Sequence, residues 1–182
     1  MKLPSDLIVA LTSEEIADIR RVAHERPGFL PNLYNKTRRD LTRSQIETDR
    51  IGLTGEYAVA KLFGLSLDAC GLRLKGLQLD GGHDMMLPDG KTVQIKAIEV
   101  HTNPNRPYWY SLEGTDPMEF TADVGIMAYV LHRTPGQVKI PGFITRERFI
   151  TEHVLANLGT GLRAAVATCR FDPIELLLKG QP

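Results

Sequence analysis

Long apolar runs are missing from this 182-residue chain. Nothing approaches the roughly 18 consecutive apolar residues of a bilayer-spanning helix. The opening MKLPSDLIVALTSEE also lacks a basic segment followed by a long apolar one. A cytoplasmic protein without membrane contact is the expectation. Cysteine is scarce: Cys70 and Cys169 stand far apart, outside any CxxC or Cys/His cluster, so neither a disulfide framework nor a zinc site is indicated. The chain has no P-loop, dinucleotide glycine fingerprint, HExxH or GxSxG motif, which removes the enzyme classes built on them. An excess of positive charge is lacking too. The 22 basic residues are matched by 22 acidic ones, whereas proteins that grip phosphates usually carry a positive surplus.

What is present suits one globular domain over residues 1–182, since 42% of the residues are hydrophobic. The charge balance is uneven, with Arg20, Arg21, Arg26, Lys36, Arg38, Arg39, Arg43 and Arg50 in one early stretch. That stretch is either a basic face for an anionic partner or a solvated helix surface. Thr12 or Ser13, followed by Glu14 and Glu15, marks a helix start. A second helix is expected from about Leu41 to Phe63, and its interior Gly52 and Gly55 call for a later start or for close packing. Strands are expected from Leu72 to Ile98, at Tyr108 to Leu112, at Val124 to His132 and at Gln137 to Thr145, the last two paired. Arg146 to Asn157 reads as helix, Ala164 to Cys169 as strand and Pro173 to Lys179 as helix. The fold class is α/β or α+β, with one central mixed sheet flanked by helices. Residues 1–40 form an N-terminal helical extension, 41–150 the core, and 151–182 a C-terminal helical and strand extension.

The stretch GGHDMMLPDGKTVQIKA, Gly81 to Ala97, carries the chemistry. Pro88, Asp89 and Gly90 suit a three-residue hairpin loop, with Gly accepting the left-handed conformation. Leu87 then faces Lys91, and Asp84 falls opposite Gln94. Opposed residues share a face, as do Gln94 and Lys96, while Met85, Val93 and Ile95 turn the other way. A carboxylate, an amide and an ammonium therefore converge; the plainer alternative is a surface hairpin with a cross-strand ion pair.

An Asp followed some ten residues later by (D/E/Q)-x-K resembles the signature of PD-(D/E)XK nucleases. Upstream, GLTGEYAVAKLFG (Gly52 to Gly64) is similar to the first core helix of many members. Downstream, ADVGIMAYVLH and VKIPGFITRERF resemble later strands of several, phage-encoded ones included. The likeness spans Leu53 to Phe149. It implies a restriction-endonuclease-like core and a Mg²⁺- or Mn²⁺-dependent DNA nuclease, with RNA left open as a substrate. It also implies metal binding by Asp84, Gln94 and the Ile95 carbonyl, with Glu56 as the helix glutamate. Gln94 departs from the usual acidic residue, which removes one negative charge and lowers metal affinity.

Lys96 is expected to position the attacking water or stabilise the phosphorane, or to act as base were its pKa strongly lowered. Arg38, Arg39, Arg43, His101, Tyr108 and Tyr110 are candidate substrate contacts, the tyrosines, with Trp109, by stacking or as groove lining; the plainer reading of alternating strand aromatics is core packing. His83 and His101 are taken to flank the site. The competing expectation is a non-catalytic module that binds nucleic acid or protein on the same fold. Homodimerisation is left open.

Overall fold

A computed structural model describes residues 7–25, 44–65, 83–159 and 161–180. Strand β1 (Leu7–Ala10) and helix α1 (Ser13–Glu25) come first. Thr12 and Glu15 cap the start of α1 reciprocally: the Glu15 amide donates to Thr12 Oγ1 at 3.1 Å, and the Thr12 amide to Glu15 Oε2 at 2.6 Å. Helix α2 (Gln45–Leu62) starts at Ser44, whose hydroxyl accepts the Glu47 amide at 3.2 Å. It thus begins four residues after Leu41 and runs unbroken through both glycines. Then come β2 (Met85–Met86), β3 (Thr92–Val100), β4 (Trp109–Ser111), β5 (Val124–Leu131), β6 (Gln137–Thr145), α3 (Arg146–Glu152), β7 (Val154–Asn157), β8 (Leu162–Ala167) and α4 (Ile174–Lys179).

The chain is mixed α and β, but its described residues form two sheets rather than one. The larger is five-stranded in the order β1-β6-β5-β3-β2; β3 and β5 run parallel and its other pairs are antiparallel. The smaller is antiparallel, in the order β4-β8-β7. The last third of the expected helix at Arg146 to Asn157 is therefore strand, because Val154–Asn157 pairs with β8. Pairing overrides the moderate helical propensity of Leu155 and Ala156. Strand β1, absent from the sequence reading, joins the large sheet beside β6.

Side-chain alternation along β3 divides the interior in two. Val93, Ile95 and Ala97 face a core shared with Ile19 and Val22 of α1 and with Leu53, Tyr57 and Ala58 of α2. Ile98 and Val100 face the other way, into a core of Tyr110, Phe120, Met127, Phe149 and Val166. Helices α1 and α2 thus cover one face of the large sheet, and the small sheet with α3 covers the other.

The two glycines of α2 have different explanations. A Cβ at Gly55 would sit 2.7 Å from the Ala97 Cβ and 3.0 Å from the Ala128 Cβ, so the helix lies directly on the sheet there. A Cβ at Gly52 meets nothing within 4 Å. Gly52→Ala should therefore stabilise by about 1 kcal/mol through helix propensity, whereas Gly55→Leu should destabilise by roughly 1–3 kcal/mol through overpacking. Urea midpoints that moved in the same direction for both variants would contradict this packing.

Candidate active site

The loop at Pro88 to Gly90 closes as its residues require. Gly90 has φ +88°, the Leu87 amide donates to the Lys91 carbonyl at 2.9 Å, and Met85 pairs with Val93. The regular register ends with that pair, and Asp84 follows it as a bend next to Val93 and Ile95. Two hydrogen bonds straddle Gln94: the Asp84 amide donates to the Val93 carbonyl at 2.8 Å, and the Ile95 amide donates to Asp84 Oδ2 at 2.5 Å. The carboxylate thus accepts at the ladder position beyond the end of β2, where a longer strand would offer a backbone carbonyl. Because the N–H and C=O of one strand residue leave on the same side, the Ile95 carbonyl also points to this edge.

Gln94 is fixed from behind. The Tyr110 hydroxyl lies 3.1 Å from Gln94 Oε1 and 3.2 Å from the Gln94 carbonyl and donates toward both. Tyr110 fits because Gly125 pairs with Gln94; a Cβ at position 125 would stand 2.7 Å from the ring. Burial first, and then the negative charge of Asp84, push the Tyr110 phenol well above its ordinary pKa. It remains a neutral donor. Lys96 is two residues on, on the same face as Gln94, partly buried and without an ion pair among the described residues.

Glu56 comes from the other layer. It adjoins Gly55 on α2, which packs on the face opposite Gln94 and Lys96. Helix α1 lies along one flank of α2, where the Tyr57 hydroxyl meets Asp18 at 2.6 Å and Lys61 meets Glu15 at 2.8 Å. Glu56 is about 100° round the helix from Tyr57, on the flank turned away from α1.

Among the described residues, the expected substrate contacts do not gather here. Tyr110 is fully buried and has no face for a base to stack on. Tyr108 is partly buried, edge-on to Tyr129 with ring centroids 5.1 Å apart, and serves core packing near Ile98. His83 adjoins Asp84 in sequence and is partly buried. His101 does not flank the site, since six residues of extended chain, about 20 Å, separate it from Ile95. Arg38, Arg39 and Arg43 lie outside the described residues.

His101 belongs to a second cluster, most of which the sequence reading missed. Glu99, His101 and His132 each offer a ligand atom, all within 4.8 Å of one another, and can hold a metal ion. Only the spacing of Glu99 and His101 hinted at it; His132 joins through the parallel pairing of β3 with β5.

At the other end of that pair, Asp123 Oδ2 accepts the Thr92 amide at 2.9 Å and its hydroxyl at 2.8 Å, and the Asp123 amide donates to Thr92 Oγ1 at 3.0 Å. This clamp sets the register from which Gln94 and Lys96 are presented.

Comparison with protein-family models, with curated proteins and with solved structures finds no match. None of the described helices is long and apolar enough to cross a membrane.

The clamp also predicts a pH response. The Thr92 backbone and side-chain hydrogen bonds hold the Asp123 carboxyl below its ordinary value of 3.8. The unfolded chain therefore binds this proton more readily, and the stabilisation, complete above the ordinary value, is lost as pH falls through the depressed one. Asp123→Asn should flatten that part of the acid-stability profile, as followed by circular dichroism. A variant profile that parallels the wild type would show the clamp to be inert.

Proposed function

We propose that the chain is a metal-dependent nuclease of the PD-(D/E)XK type, with a restriction-endonuclease-like core, that hydrolyses phosphodiester bonds in DNA. One observation carries the reading: the Asp84 carboxylate is fixed on β3 by the Ile95 amide, next to Gln94, whose amide oxygen accepts from Tyr110, with the Lys96 ammonium two residues on. The donor set fits Mg²⁺ or Mn²⁺, because its oxygens are hard and it includes no thiolate or imidazole. The bonds from Ile95 and Tyr110 hold two of these oxygens in place without exhausting their lone pairs.

Asp84, Gln94 and the Ile95 carbonyl would hold the ion, and Glu56 would act through water or on a second ion. A bound Mg²⁺ supplies charge stabilisation on the phosphoryl oxygens and a lowered pKa for water. The chain's own groups do the rest. Asp84 orients the ion-binding edge, fixed by the Ile95 amide. Tyr110 holds the Gln94 oxygen in one orientation from the core side and keeps its own proton. Lys96, partly buried and without an ion pair among the described residues, places a positive charge beside a phosphate, positions the attacking water and stabilises the pentavalent transition state.

A second reading, a nucleic-acid- or protein-binding module on a degenerate nuclease fold, is favoured by one contact. Tyr110 already occupies one lone pair of the amide that replaces the usual acid, which weakens the ion's hold.

Duplex DNA incubated with the protein should be cut in Mg²⁺ or Mn²⁺ and left intact in EDTA. Lys96→Ala and Asp84→Ala should each slow cutting by roughly 100-fold or more, with folding checked by circular dichroism. Cutting unchanged in either variant would refute the assignment, and metal-independent DNA binding without cutting would favour the module. A parallel panel of RNA substrates tests the nucleic-acid class.

A further inference from the structure

We propose that Glu99, His101 and His132 form a second metal site, for a borderline-soft divalent ion of the Zn²⁺ class. Nothing in it depends on the nuclease reading. Gln94 and Glu99 are five strand residues apart, about 17 Å, and Glu99 has the parity of Val93, Ile95 and Ala97, on the α2 face of the sheet.

The pairing of β3 with β5 builds this cluster. Val100 lies beside Leu131, so the next residues, His101 and His132, leave the sheet side by side, and the His132 amide donates to the Val100 carbonyl at 3.1 Å. Their ring centroids are 4.2 Å apart. Both rings converge on one carboxylate: His101 Nε2 is 3.3 Å from Glu99 Oε2, and His132 Nδ1 is 3.2 Å from Glu99 Oε1. Ligands about 2.0–2.1 Å from a tetrahedral ion stand about 3.3 Å from one another. Each histidine nitrogen thus stands from its own Glu99 oxygen at about the separation of two ligands of one ion, and the three ligand atoms lie within 4.8 Å of one another.

The donor type narrows the ion. Two imidazoles and a carboxylate suit Zn²⁺ and its neighbours and disfavour Mg²⁺. Glu99 is anchored from the protein side: its side chain is 7% exposed and pairs with Arg50 Nη2 at 3.4 Å, the outer hydrogen bonding that orients a ligating carboxylate. The imidazoles are 49% and 55% exposed, so an ion can reach them from solvent. His132 also lines a groove with Arg20, Arg50, Thr54 and Pro135. Three protein ligands leave a fourth position for water, the mark of an open rather than a closed zinc site.

The test uses the full chain, stripped with EDTA, dialysed against Zn²⁺ alone and assayed for bound metal, with Co²⁺ as a spectroscopic probe. Wild type and Asp84→Ala should each retain one Zn²⁺ at this site. His101→Ala and His132→Ala alter half-exposed side chains, so folding should persist and is checked by thermal melts. Each should weaken binding at least ~10-fold and abolish the tetrahedral Co²⁺ spectrum. Zn²⁺ binding unchanged in both histidine variants, or absent from the wild type, would overturn the proposal. So would binding lost in Asp84→Ala and kept in the histidine variants, which would move the ion to the hairpin. DNA cleavage plays no part in this readout, so its outcome is separate from that of the nuclease assay.

Discussion

The in-register parallel pairing of β3 with β5 is the constraint from which the rest follows. Each residue of β3 meets the one thirty-one positions later, from Val93 with Val124 to Val100 with Leu131. At the start, this offset brings Thr92 to Asp123 and closes their clamp. One turn of the pleat further on it sets Gln94 beside Gly125, leaving room for the Tyr110 ring. In the middle it lays Ala97 beside Ala128, the flat spot on which Gly55 rests, and at the far end it delivers two histidines to one glutamate. A one-residue slip would turn every β3 side chain to the other face and dissolve all four arrangements at once.

The edge of the sheet is built by stopping a strand early. Strand β2 is two residues long, and the Asp84 carboxylate takes over where its backbone leaves off. A side-chain oxygen thereby both satisfies a strand amide and lies next to outward-facing carbonyl groups. Behind it, Tyr110 is buried among Phe120, Phe149 and Phe171, with ring centroids 5.9 Å away. That aromatic packing makes the position of the hydroxyl a property of the core rather than of a mobile loop. The second core is, in this sense, the rigid mount for one amide oxygen.

Local chemistry in the sequence was readable; assembly was not. Pro88, Asp89 and Gly90 dictate a turn on their own, and a turn of known length fixes which residues face each other, so Leu87 could be set against Lys91 without coordinates. The division of β3 into two faces followed from its period of two. The same period could not say whether Trp109 or Tyr110 is the buried one, because alternation does not reveal which side meets a core; of the two readings open for Tyr110, substrate contact and core packing, the second holds. Glu56 stands in an amphipathic helix whose contact layer depends on tertiary packing. Val154–Asn157 forms a strand only because β8 is there to pair with it. The pairing of His101 with His132 is a thirty-one-residue coincidence until two strands are known to run parallel.

Strand β1 has a cost that is felt in time rather than in energy. Its partner is β6, with Leu7 set against Ile140, so a chain emerging from the ribosome carries an unpaired strand until most of its length has been synthesised. Non-local pairing of this kind slows folding and leaves a bare edge available to other chains. The helix that follows β1 at once, α1, offers that nascent segment an early place to bury its apolar side chains against α2 before the sheet exists.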